Sequence, residues 1–116
     1  MSVTVRKSGK TTIIRVEGKL TLGETVEQFR ARWSDALATG TQNIVLDLAE
    51  VPAIDSSGIG ALVRCHAAVR GNGGKLKVVG AGEIVRHSFH VTHLDQVLDL
   101  HPDEESAMGA LAAGSL

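Results

Sequence analysis

The chain has almost no aromatic surface: tyrosine is absent, and one tryptophan with two phenylalanines make up 3% of 116 residues. It lacks an excess of charge as well, since Lys+Arg 12 against Asp+Glu 13 leave a formal net charge of −1 with the histidines neutral. Nucleic-acid binders draw affinity from positive charge and from aromatic stacking platforms, so this composition argues against DNA or RNA as a partner. A single cysteine, Cys65, rules out an internal disulfide and leaves no second thiol for a cysteine zinc site, which points to a reducing cytoplasm. No apolar run approaches the roughly 18 to 20 residues of a membrane helix, so direct membrane insertion is not expected. The opening Met1-Ser2-Val3-Thr4-Val5-Arg6 alternates polar and apolar residues and has no continuous apolar stretch of the kind a secretory signal needs. It reads as folded structure. The remaining composition, 43% hydrophobic and 22% charged, is that of an ordinary globular domain, taken as one unit over residues 1–116. That length can bury a core without disulfides or metals.

Two short β-branched segments, residues 3–6 and 11–17, flank Lys7-Ser8-Gly9-Lys10, a link of hairpin length, and predict an antiparallel pair. Leu22, Val26, Phe29, Trp33, Ala36 and Leu37 then recur at helical spacing, predicting a helix over 24–37 with Gly40 as its stop. Asn43-Ile44-Val45-Leu46-Asp47-Leu48 is compact and apolar, the pattern of a strand buried on both faces. From Ser57, the stripe Ile59, Leu62, Val63, Cys65, His66 and Val69 predicts a second helix, closed by Gly71-Asn72-Gly73-Gly74. Residues 75–79 follow as a strand, 83–91 as a helix that His93 can end in a left-handed conformation, and 96–100 as a short last strand. Pro102 at the first helical position, with Asp103, Glu104 and Glu105 behind it, opens a terminal helix. The order β-β-α-β-α-β-α-β-α predicts an α/β domain with a mixed, mostly parallel sheet and about four helices. Sites on such sheets gather where strands feed helix N-termini, which directs attention to the loop after Leu48.

That loop ends in Asp55-Ser56-Ser57-Gly58-Ile59-Gly60. Asp and Ser are good helix caps, so a well-capped helix is the plain reading. The functional reading puts a serine hydroxyl at a helix N-terminus, beside two glycines whose missing side chains admit a partner's close approach. Free backbone N–H groups and the helix dipole would stabilise a phosphate there. The two readings are compatible.

Leu46-Asp47-Leu48, then Val51, Ile54 and Asp55-Ser56-Ser57-Gly58-Ile59-Gly60-Ala61-Leu62, resemble the signature of STAS domains of the anti-sigma factor antagonist type. The similarity extends to Gly73-Gly74-Lys75-Leu76 and to Phe89, Thr92 and Leu94, so it spans most of the chain. The resemblance implies a STAS fold and a partner switch. An anti-sigma factor serine kinase would bind the unmodified chain, phosphorylate Ser56 with its own ATP and magnesium, and then be released; a metal-dependent serine phosphatase would reverse the mark. The antagonist would be no enzyme, would hold no cofactor, and would meet its partner through Asp55, Ser57, Gly58, Ile59, Gly60 and Thr21. Many members carry Gly-Glu-Leu-Asp where this chain has Gly18-Lys19-Leu20-Thr21, so Thr21 keeps a hydrogen-bonding group without the charge. The alternative within the same resemblance is an unphosphorylated accessory subunit of a lipid-transport ATPase, or a signalling scaffold.

Other chemistries fit less well. His87, His90 and His93 are three apart, but at 100° per residue the outer two diverge by about 240°, and no cysteine is near to complete a metal set. A serine hydrolase would need Gly-x-Ser-x-Gly, and Ser56 is flanked by Ile54, Asp55, Ser57 and Gly58. Cys65 falls at an apolar helix position, expected buried and inert. Gly80-Ala81-Gly82 lacks the third glycine of a dinucleotide site. Phe29 and Trp33, four apart in a periodic stripe, are expected in the core.

Overall fold

The structure, a computed structural model, describes residues 2–114. β1 (Ser2–Ser8) and β2 (Thr11–Glu17) form an antiparallel hairpin, as the alternating pattern predicts. β2, β3 (Asn43–Glu50), β4 (Leu76–Val79) and β5 (Asp99–His101) then run parallel, in the sheet order β1-β2-β3-β4-β5. Between them lie α1 (Glu24–Ala38), α2 (Ser56–Gly71) and α3 (Glu83–Val91), and α4 (Glu104–Gly114) follows β5.

Strand alternation divides the core into two layers. Ile14, Val16, Ile44, Leu46, Leu48, Leu76 and Val78 face the helices α1 to α3, where Phe29, Leu62, Cys65, Val69 and Phe89 close over them. On the reverse face Ile13, Val45 and Val79 are covered by Ala107 and Leu111 of α4. β3 is therefore apolar on both sides, with Ile44, Val45, Leu46 and Leu48 all fully buried. Beside α4's face the buried Lys77 pairs with Asp99 of the neighbouring strand, and that ammonium holds the Asp99 carboxyl below the usual carboxylate range.

The helices end where expected. α3 ends at Val91, and His93, two residues on, takes a left-handed conformation with φ 60°. Most strand bounds shift by a residue or two, and near the C-terminus two elements differ from the sequence reading. The last strand is Asp99–His101 and not 96–100, because Leu94–Gln96 forms a 3-10 turn that lets both Leu94 and Leu98 bury. A spacing of four puts two residues on one face of a strand as well as of a helical turn, so the pattern alone does not separate the two. Pro102 lies before α4 and not at its first position: His101 still accepts from the Gly80 N–H at 3.2 Å, and the Asp103 carboxylate takes the capping role by accepting the Ser106 N–H at 2.8 Å. Val63 also leaves its predicted stripe and is 45% exposed on the outer side of α2.

Among the described residues no helix is long and apolar enough to cross a membrane.

Candidate functional site

β2 and β3 are parallel neighbours, so the segments leaving their C-terminal ends travel side by side. Backbone bonds join them: Gly18 N–H donates to Glu50 O at 3.0 Å, Leu20 N–H to Ala53 O at 3.0 Å, and Asp55 N–H to Leu20 O at 3.3 Å. A bridge between Leu20 and Ile54 extends the sheet pairing into the loops. The two loops are thus tied together along their length.

Asp55 completes that unit. One carboxylate oxygen accepts the Gly58 N–H at 2.9 Å and caps α2, while the other accepts the Leu22 N–H at 3.0 Å across the loop pair. These bonds favour the ionised form, so the Leu22 N–H first and the Gly58 N–H second hold the Asp55 carboxyl below its ordinary value of 3.8. The cap is therefore Asp55, and Ser56 is the first helical residue. Ser56 is exposed, Ser57 and Ile59 are half-buried, and Thr21 sits half-buried between the two residues whose backbones bond to the Asp55 segment.

The glycines divide their work differently from the sequence reading. Gly58 is buried, and a Cβ there would lie 2.2 Å from Leu20 O and 2.6 Å from Ile54 Cγ1. Its missing side chain serves the internal join between α2 and the loop, not a partner's approach. Gly60 faces outward, where a Cβ would meet only the Arg64 guanidinium, 3.4 Å away. Leu22 also departs from expectation. Tied to Asp55 by its N–H, it stays outside α1 and is 79% exposed beside the site.

Ser56 opens onto a concavity of about 570 Å³ between α1 and α2, whose wall includes Leu22, Arg30, Trp33, Gly60 and Arg64. Trp33 and Phe29 are core residues as expected, though Trp33 also borders this space. Sequence reasoning missed both arginines. The 56, 60, 64 spacing, one position per helical turn, was the signal available for Arg64; nothing in the sequence linked Arg30 to it.

No histidine lines this concavity, and His66 lies ten residues, about 15 Å, along α2 from Ser56. His90 bonds Asp95 at 2.9 Å. Cys65 is fully buried, and burial pushes its thiol up to about 12.

Two stability measurements check this construction. Gly58→Ala should destabilise by about 1 to 3 kcal/mol, as backbone overpacking does, whereas Gly60→Ala should be neutral or stabilising by up to ~1 kcal/mol, because only a flexible side-chain end must yield. Asp55→Ala should cost about 1 kcal/mol near pH 7. A carboxyl with a depressed folded pKa contributes stability above its unfolded value and loses it as pH falls through the folded one, so the gap between wild type and Asp55→Ala should begin to narrow below about pH 4. Urea unfolding at pH 7 and pH 3 reads both effects; a gap as wide at pH 3 as at pH 7 contradicts the ionic clamp.

Residues 2–107 match the STAS domain family. Among solved structures, the chain superimposes on a Thermotoga maritima protein described as an anti-sigma factor antagonist, with TM-score 0.88 and 23% identity over 95% of this chain and 94% of that one. It is similar to an anti-sigma-factor antagonist (STAS) domain protein of Planctomyces limnophilus, with TM-score 0.84 and 25% identity over 95% and 97%. A third likeness is to the Bacillus cell fate determinant SpoIIAA in its phosphorylated form, with TM-score 0.74 and 22% identity over 94% and 98%. With its mixed five-stranded sheet, its interspersed helices and the family match over nearly its whole length, the chain belongs to the STAS domain family.

Proposed function

We propose that this chain is a cytoplasmic anti-sigma factor antagonist that works as a phosphorylation-controlled partner switch. Unmodified at Ser56, it binds an anti-sigma factor serine kinase; phosphorylated at Ser56, it is released, and a metal-dependent serine phosphatase restores the binding form. The observation that carries the reading is the state of Ser56: an exposed hydroxyl on the first residue of a 16-residue helix whose start is already locked by Asp55. Similar STAS proteins include SpoIIAA, for which structures of both the unphosphorylated and the phosphorylated form exist.

The chain's own part in the transfer is small. Ser56 Oγ forms the new bond to the γ-phosphorus of ATP as the β–γ bridging P–O bond breaks; ADP leaves, and the hydroxyl proton passes to the kinase. ATP and magnesium belong to the kinase, and this chain needs no cofactor for the cycle. Helix N–H groups at the start of α2 tolerate the added −1.5 to −2 charges. An interface centred on Ser56 does not, because the phosphate must be desolvated there and lies one residue from the ionised Asp55. Around it, the exposed Leu22 offers apolar contact area and Gly60 a stretch of helix covered only by the Arg64 side chain, with Asp55, Ser57, Ile59 and Thr21 in the same surface unit. Gly58 supports that surface from inside.

Three variants test the switch. Ser56→Ala should abolish phosphate transfer from the cognate kinase, and Ser57→Ala should only slow it or weaken docking; phosphate mapped mainly to Ser57 overturns the assignment. Ser56→Asp should unfold no more easily than wild type, since a carboxylate in a first helical turn gains ~0.3 to 1 kcal/mol from the dipole. Its affinity for the kinase should nonetheless drop by about 2 kcal/mol or more, roughly thirtyfold. Unchanged affinity by titration would sink the switch and favour the accessory-subunit alternative.

A further inference from the structure

The N-terminal end of α2 carries more positive potential than the unmodified protein uses. α2 has no acidic residue in its first turn, so only the Asp55 cap opposes the positive end of its dipole. The Arg64 guanidinium lies back along the helix over Gly60, with Nη1 3.4 Å, Nη2 3.9 Å and Cζ 4.0 Å from where a Gly60 Cβ would stand. Any larger residue at 60 would occupy that path. A cation drawn toward a helix N-terminus is electrostatically unfavourable unless an anion joins it.

Arg30 of α1 lines the same concavity as Ser56 and Arg64. Glu27 lines it too, yet neither arginine forms an ion pair with it or with any other acid among the described residues. Other arginines are engaged: Arg6 pairs with Glu104, and Arg15 reaches Glu17 and Glu50 at 3.8 and 3.5 Å. Ser56, residue 60 and residue 64 follow at steps of four and share one side of α2, about 6 Å of rise apart at each step. Side chains on a helix lean toward its N-terminus, which carries the long Arg64 toward Ser56.

We infer that Arg64 and Arg30 form a receptor for the phosphoryl group on Ser56, drawing it into the concavity between α1 and α2. The inference rests on Ser56 being the modified residue, as proposed above. Guanidinium forks match phosphate oxygens in geometry and charge, and two of them with a helix N-terminus supply donors for three oxygens. Phosphorylation then does more than add charge to the docking surface. It fills the cleft beside Leu22 and Gly60 that the partner meets.

Installing phosphoserine at position 56 by codon reassignment separates this receptor from the question of which kinase acts. The test is a 31P NMR titration of that protein alongside its Arg30→Gln, Arg64→Gln and double variants. Nearby cations favour the dianion, so its second ionisation should fall below the ordinary value near 6. In the double variant it should return upward by about half a unit to one unit, each single variant giving part of the shift. Arg70→Gln, farther along α2, should leave it unmoved. Equal ionisation in wild type and double variant overturns the receptor while leaving Ser56 as a modification site. An unmodified Ser56 in the cell would reject the phosphorylation reading without altering the titration.

Discussion

One carboxylate holds this site together. Asp55 accepts a hydrogen bond from the first turn of α2 with one oxygen and from Leu22 with the other, so a helix start and a neighbouring loop share a single anchor. An N-cap by itself fixes only its own helix. Here the same group also sets the position of residues 20–22, and the fit is tight enough that Gly58 has no room for a side chain. Ser56 is thereby presented on a platform held by bonds within the chain itself. Such preorganisation keeps ordering costs out of the binding step.

The sheet makes that anchor possible. β2 and β3 are parallel and adjacent, so both chains leave the sheet at the same edge and continue their pairing through the loops. β3 is buried on both faces by α4 on one side and α1 to α3 on the other, and as the central strand it delivers its exit segment to the middle of the sheet's C-terminal edge. Substitutions in β3 would shift the site without touching it.

Much of this was legible from the residues. Periodicity located α1 and α2, the acidic residues after Pro102 marked α4, the compact apolar run marked the central strand, and His93 was recognisable as a left-handed stop. Asp55 and the two serines stood out because capping residues after a buried strand are local features with local causes. What escaped depends on contacts between segments distant in sequence. Leu22 fits the apolar stripe of α1, but its N–H donates to the Asp55 carboxylate, which keeps it out of the helix and in solvent. Gly58 and Gly60 look alike in a string of letters, yet one faces Leu20 and the other faces outward. Arg30 joins the site only because α1 packs against α2. At the C-terminal end, Gln96 passed for strand because the burial of Leu94 and Leu98 by a turn cannot be told from strand alternation over so few residues.

Affinity capture of the chain from its native cell, with intact-mass and phosphosite analysis of the recovered protein, reaches the central claim most directly. The account predicts two populations. One is unmodified and travels with a serine-kinase ATPase; the other is about 80 Da heavier, carries its phosphate on Ser56 and travels without that kinase. Phosphorylated chain recovered in stable complex with the kinase, or a transporter ATPase as the steady companion of a chain never modified at Ser56, would contradict it.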